Sequence, residues 1–262
     1  MSHVEQAPAK LTLSLRITGL RSDGYHLIDA EMVTLDLADT LTFTEIDAQI
    51  DAQACSDLTI EMAATASGGL PVAATPDNLI VQALGAVGRT ARVHVVKRIP
   101  AGGGLGGGSA DAAAVFRWAG RTSNHDVVAS SALGADVSFC IRGGRARVTG
   151  IGEIVDPLPF MGATFTLCTP PFGVSTPAVY RAWDALGGPY ADGPNDLEPA
   201  ALLVEPRLAE WRDRLAEASG GAPVLAGSGS TWFVAGAFSG DGLIVARTVA
   251  TSSSPGAGSV SA

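Results

Sequence analysis

Lysine is almost missing from this sequence. Of 17 basic residues only Lys10 and Lys97 are lysines, and all the others are arginine. Arginine serves wherever a solvated positive charge suffices, so the two lysines mark candidate sites for a compact ammonium with rotatable donors. Cysteine is scarce too. Cys55, Cys140 and Cys168 are odd in number and widely spaced, which gives neither a disulfide framework nor a metal knuckle and fits a reducing compartment. Mean hydropathy is +0.27, yet no run of about 18 uncharged apolar residues occurs. The first nine residues lack the basic stretch and apolar block of a secretion signal. The expectation is a cytoplasmic protein with no membrane partner. Positive charge is short overall, 26 acidic side chains against 17 basic for a net charge of -9. Without a basic stripe a nucleic-acid partner is excluded, and any phosphate must be held locally. Nothing in the composition bears on oligomeric state.

What is abundant is glycine, 32 of 262 residues, nearly double the roughly 7% average share. That length allows one large domain or two ordinary ones. Residues 10–17 alternate strictly and predict a half-buried strand, with a turn at residues 21–24. Residues 32–43 predict two more strands broken near Asp39, and residues 58–62 another. Asp77 is positioned to cap a helix beginning at Leu79. Residues 92–99 read as a strand, and a helix follows from about Ser109. A strand at residues 145–149 precedes Asp156-Pro157-Leu158-Pro159, a candidate boundary. Residues 164–169 read as a strand, residues 208–218 as a helix, and a second helix starts at Ala178. Val224-Leu225-Ala226 and Trp232-Phe233-Val234-Ala235 predict paired strands around Gly227-Ser228-Gly229-Ser230. Residues 251–262, rich in Ser, Gly and Ala, are expected to be a disordered tail.

The densest feature is Pro100-Ala101 followed by Gly102, Gly103, Gly104, Leu105, Gly106, Gly107, Gly108 and Ser109. Lacking Cβ atoms, such a backbone can turn its N–H groups into one concavity, and the helix beginning beside it adds its positive dipole end. That geometry binds phosphate, which favours a nucleotide over a flexible linker. Gly102, Gly104 and Gly107 also satisfy G-x-G-x-x-G, with Asp126 at about the right distance for a ribose-binding acid, so a dinucleotide oxidoreductase stands as an alternative. A nucleotide-binding protein without catalysis is a third reading. The P-loop pattern is absent, since no Lys-Ser or Lys-Thr follows the glycines.

The tract PAGGGLGGGSADAAA resembles the phosphate loop of the galactokinase, homoserine kinase, mevalonate kinase and phosphomevalonate kinase superfamily. PAKLTLSLRITGLRSDGYHLID, LGADVSF and LAGSGSTWF, in that order, resemble one branch, the kinases of 4-diphosphocytidyl-2-C-methyl-D-erythritol in the non-mevalonate isoprenoid pathway. The match runs from about Ala7 to Phe233. The resemblance implies an α+β, two-domain small-molecule kinase fold, with an ATP-binding domain at residues 1–155, a substrate domain at 156–250 and the active site in the cleft between them. It implies ATP-dependent phosphorylation of the substrate's 2-hydroxyl, with Mg²⁺.

The resemblance also implies site residues. Asp136 matches the catalytic base and Lys10 its charged partner. Asn78, Lys97 and the loop from Pro100 through Ser109 are expected at ATP, with Ser109 a candidate for positioning Mg²⁺. Tyr25 and Tyr180 would sandwich the cytosine while His26 binds its polar edge, and Thr176 and Pro177 complete the substrate segment. Gly227, Ser228, Gly229 and Ser230 match the third motif, which supports the phosphates. Thr12 stands where this branch usually has Asn, so a short hydroxyl replaces an amide beside the substrate polyol.

Overall fold

The computed structural model describes residues 2–46, 57–63 and 71–250. Cys55 and the expected tail at 251–262 lie outside them. Two long strands, β1 (Ser2–Leu20) and β2 (His26–Glu45), form an antiparallel hairpin through the predicted turn. Gly24 closes that turn at φ +89°, a conformation open to glycine, and its N–H donates to Arg21 O. β1 pairs along one edge of β2. The other edge is divided between β4 (Ala91–Lys97), which takes residues 40–45, and β5 (Arg145–Gly150), which takes residues 28–33. The break expected near Asp39 is therefore a change of partner within one strand. β3 (Asp57–Met62) runs parallel to β4, and β6 (Ile154–Leu158) pairs with β5 to finish the first sheet.

Residues 156–158 of the candidate boundary thus belong to β6. Pro157 signals a break in sequence, but an edge strand has a free side on which a missing N–H costs no ladder bond. The second sheet begins at β7 (Thr164–Cys168) and has the order β10 (Leu243–Arg247), β7, β9 (Trp232–Ala235), β8 (Val224–Leu225), all antiparallel. Sequence patterning leaves β6, β10 and three short helices, α3 (Asn124–Ser130), α4 (Val137–Arg142) and α6 (Glu198–Val204), unpredicted.

Helix α1 (Leu79–Val87) is capped by Asn78, not Asp77: Asn78 Oδ1 accepts from the Ile80 N–H at 3.0 Å, and Nδ2 donates to Ala73 O. Helix α2 (Gly107–Trp118) starts two residues earlier than expected and buries Ala110, Ala112, Ala113 and Ala114 in the main core. Small side chains allow the helix backbone to approach the sheet and bring the glycine tract close to β1. Helix α3 (Asn124–Ser130) opens on a capping box between Ser123 and Asp126. Helices α5 (Thr176–Ala185) and α7 (Leu208–Ser219) accompany the second sheet. Among the described residues no helix is long and apolar enough to cross a membrane. Cys140 and Cys168 are free and buried, and burial pushes both thiols up, Cys140 to about 12.

Candidate active site

β1 carries the first two functional side chains, and its irregularity positions them. Register shifts between Pro8 and Lys10 and between Thr12 and Ser14 interrupt its pairing. Such bulges bend a strand and re-aim side chains. From Ala9 to Thr12 every residue is buried, whereas alternation alone predicts a half-exposed strand. The second face is covered by the glycine loop and by the turn after β8. The Lys10 N–H donates to Leu105 O at 3.0 Å. A Cβ on Gly106 would lie 2.7 Å from Lys10 Cγ, so the space a side chain would need is filled by the lysine stem.

Lys10 Nζ lies 3.2 Å from Asp136 Oδ2 and donates to Thr12 Oγ1 at 3.1 Å. Thr12 is thus an acceptor for the ammonium as well as a wall of the cavity. Asp136 stands at the first position before α4, yet its side chain makes no capping bond. Its carboxylate faces Lys10 and remains 31% exposed. This excludes a simple helix-cap role for Asp136.

Two cavities meet here. The larger, about 510 Å³, is lined by Lys10, Thr12, Tyr25, His26, Asp136, Thr176, Pro177, Tyr180, Gly227 and Ser228 among others. The smaller, about 180 Å³, is lined by Asn78, Lys97 and every residue from Pro100 to Gly108. Gly104 borders both. Its φ is +76°, and a Cβ there would sit 2.5 Å from Gly229 O. Glycine is required at this contact because the loop backbone packs directly on the third motif. The Thr231 N–H donates to Gly103 O, fastening the two segments a second time. Beyond Gly106, residues 107, 108 and 109 begin α2, where backbone N–H groups have no partner within the helix.

Lys97 does not stand free beside the loop. Its ammonium is bound by Asp39 and by Asp111 Oδ2, and Asp39 also accepts from the backbone N–H groups of Arg98 and Ile99. Burial works against the charged ammonium, but the two carboxylates outweigh it and raise its pKa. Asp111 takes the Lys97 ammonium on Oδ2 and faces the like charge of Asp39. Burial, partly offset by Lys97, pushes its carboxyl up to about 7, and its Oδ1 is buried without a hydrogen bond beside the smaller cavity. The only sequence signal for Asp111 was a lone carboxylate in an alanine-rich helix.

The expected aromatic sandwich is arranged differently. Tyr180 packs on His26, with ring centroids 4.8 Å apart at 33°, while Tyr25 is 60% exposed at the rim beneath the Arg21 guanidinium. Burial pushes the Tyr180 hydroxyl up to about 12. Trp183 and Asp184, one turn further along α5, also surround His26 and were not anticipated. Thr176 Oγ1 and Ser228 Oγ are 2.8 Å apart, joining the substrate segment to the third motif. Gly229 and Ser230 line neither cavity: Ser230 Oγ donates to Phe172 O. Asn195, another residue sequence reasoning missed, donates through Nδ2 to Leu225 O and Gly227 O at 2.8 and 2.7 Å. It holds the turn carrying Gly227 against β1.

Two expectations fail on geometry. Asp126 closes the α3 capping box and pairs with Arg121, so it is spent on a helix end and does not end a strand as a ribose-binding acid should. Ser109 borders neither cavity, and its Oγ lies toward Gly134. No cluster of three or more metal-type side chains occurs among the described residues. Mg²⁺ at nucleotides needs only one or two carboxylates beside the phosphates, and the unpartnered Asp111 Oδ1 fits that requirement.

Residues 78–144 match the GHMP kinases N terminal domain. The chain is 38% identical over 248 residues to the 4-diphosphocytidyl-2-C-methyl-D-erythritol kinase of Paracoccus denitrificans, covering 87% of this chain and 85% of that one. It is 36% identical over 279 residues to the Ruegeria pomeroyi protein of the same name, covering 95% of each. A crystal structure of 4-(cytidine 5'-diphospho)-2C-methyl-D-erythritol kinase superposes with a TM-score of 0.67 at 27% identity, over 94% of this chain and 98% of that one. The Methanococcus jannaschii mevalonate kinase shares the fold, with a TM-score of 0.54 at 11% identity over 95% and 99% of the chains.

Proposed function

The chain belongs to the 4-diphosphocytidyl-2-C-methyl-D-erythritol kinases, and from that membership we propose how its own residues carry out the phosphoryl transfer. It is an ATP-dependent kinase of isoprenoid precursor synthesis, not an oxidoreductase. The observation that carries the residue assignments is the Lys10–Asp136 pair beside Gly104, the one residue bordering both cavities.

The triphosphate occupies the smaller cavity, where the N–H groups of Gly107 and Gly108 and the positive end of α2 receive its oxygens. Asn78 lines this cavity, and the Lys97–Asp39–Asp111 cluster anchors the strand end that leads into the loop. The methylerythritol lies in the larger cavity with its 2-hydroxyl at Asp136. Asp136 accepts the hydroxyl proton as the new O–P bond forms, the bond between the γ-phosphorus and the bridging oxygen breaks, and ADP departs. Lys10 orients the Asp136 carboxylate and offers its ammonium to charge developing on the transferring group. Thr12 fixes the ammonium. His26, Tyr180 and Tyr25 hold the cytosine, and Thr176 with Pro177 shapes the polyol end. Mg²⁺, held by the nucleotide phosphates with Asp111 Oδ1, would supply charge neutralisation there.

The first sheet with α1–α4 forms the nucleotide unit and the second sheet with α5–α7 the substrate unit, joined at residues 159–163. The cleft is shared between them, since β1 supplies Lys10 and Thr12 to the substrate side. The acidic surface and free cysteines support a cytoplasmic enzyme acting on a small molecule. The test is Asp136→Asn, which should keep ATP and substrate binding while kcat falls by about 10²-fold or more. Near-normal turnover in a folded variant would remove Asp136 as the base.

A further inference from the structure

His26 is held in one posture by a single face of α5. Tyr180 stacks beside its ring, Trp183 meets it edge-on at 5.6 Å and 86°, and Asp184 Oδ1 lies 2.8 Å from its Nε2. These three residues follow helical spacing, so one helix surface supplies all three contacts. An ionised carboxylate can only accept a hydrogen bond, so Nε2 must carry the proton. In a neutral imidazole so oriented, Nδ1 is left with a bare lone pair. Nδ1 makes no hydrogen bond among the described residues and is not one of their buried unpartnered atoms. Nδ1 is therefore solvent-accessible, on a side chain that lines the larger cavity.

We propose that Asp184 is a specificity-determining positioning residue: by accepting the Nε2 proton it makes His26 Nδ1 an acceptor for the exocyclic amino group of cytosine. The inference rests on cytidine occupying the larger cavity. Cytosine presents an N–H₂ donor at its 4-position, whereas uracil, like thymine, presents a carbonyl acceptor. An acceptor fixed opposite that position pairs with the first and repels the second. A site built around such a hydrogen bond rejects the analogue lacking it more strongly than an apolar pocket does. The packing of Tyr180 and Trp183 matters because a ring free to flip would present Nε2 instead and lose the distinction.

The experiment uses CDP and UDP as probes of the full-length protein and of Asp184→Asn and Asp184→Glu. Nitrogen-15 NMR of His26 should show the proton on Nε2, with the Nδ1 resonance moving when CDP is added. Asp184→Asn, whose amide can donate or accept, should reduce the CDP over UDP affinity ratio by about tenfold, leaving ATP affinity unchanged. Asp184→Glu, which retains the carboxylate acceptor, should restore part of that ratio. A His26 signal that responds to CDP while its proton sits on Nδ1 overturns the role of Asp184 and leaves the cytidine placement standing. An unchanged ratio in folded Asp184→Asn also overturns that role. Failure of CDP to move the His26 and Tyr180 signals overturns the cytidine placement itself.

Discussion

Replacing Lys10 by arginine keeps the charge and changes only its shape. Lys10 is 5% exposed, its Cγ and Cε lie 2.7 and 3.3 Å from the point where a Gly106 Cβ would stand, and its Nζ is shared between Thr12 and Asp136. A guanidinium adds two heavy atoms in a plane where the loop leaves no slack. Overpacking of this kind costs about 1–3 kcal/mol of stability. Moving a reacting group by about 1 Å can cost on the order of 10²-fold in rate, and Asp136 must shift to stay paired with the larger cation. The expected result is a kcat about 10²-fold lower, KM values little changed and a lowered melting temperature, read from coupled ADP release and thermal unfolding. Lys10→Ala separates charge from shape. It leaves the Asp136 carboxylate unpaired, but with 31% of that side chain exposed the full cost of breaking a buried pair does not apply. A Lys10→Arg variant with kcat within about threefold of wild type would refute the reasoning and make the scarcity of lysine uninformative.

Gly104→Ala should weaken ATP binding and lower stability by about 2 kcal/mol, because the new Cβ overlaps the Gly229 carbonyl and the positive φ disfavours it. Calorimetric ATP affinity and a melting curve equal to wild type would count against the loop contact. Tyr180→Ala should raise KM for the cytidyl substrate several-fold and leave KM for ATP alone, and the reverse pattern would move the ring to the adenosine side. Asp111 has a carboxyl pKa raised from 3.8 to about 7 by burial. Between those values the folded state holds a proton that the unfolded state has released, so stability falls as pH rises through that window and is flat above it. Asp111→Asn should flatten the unfolding free energy between pH 4 and about 7. A slope equal to wild type would show that Asp111 is not the titrating group.

The site was legible where function needs a residue type at a fixed local spacing. The glycine tract with its following helix, the LGADVSF segment and the two lysines were all visible as sequence, and the cavities border the whole tract, Asp136 and both lysines. Gly106 was legible as a close approach but not as an approach to Lys10, because its neighbour is 96 positions away in the chain. Asp39, Asp111, Asp184 and Asn195 act through partners on other elements. No periodicity or local motif marks them. The strand through Pro157 and the use of Asn78 instead of Asp77 as cap were illegible for a related reason: edge position and side-chain geometry decide them.

By itself the sequence determined the chemistry available: a backbone able to cradle phosphate, one carboxylate in a distinctive block, and two compact ammoniums in a chain otherwise supplied with arginine. It also determined the α+β alternation, since strand and helix periods are local properties of the chain. Only the tertiary structure decided how these are spent. It commits Lys97 to two buried carboxylates and Lys10 to Asp136, moves Tyr25 out to the rim, and makes Gly104 the point where two cavities touch. The physical reason is that burial and ion pairing depend on which surfaces cover one another. β1 is buried on both faces at Lys10 and Thr12 because a loop nearly a hundred residues later, and a turn more than two hundred residues later, close over it.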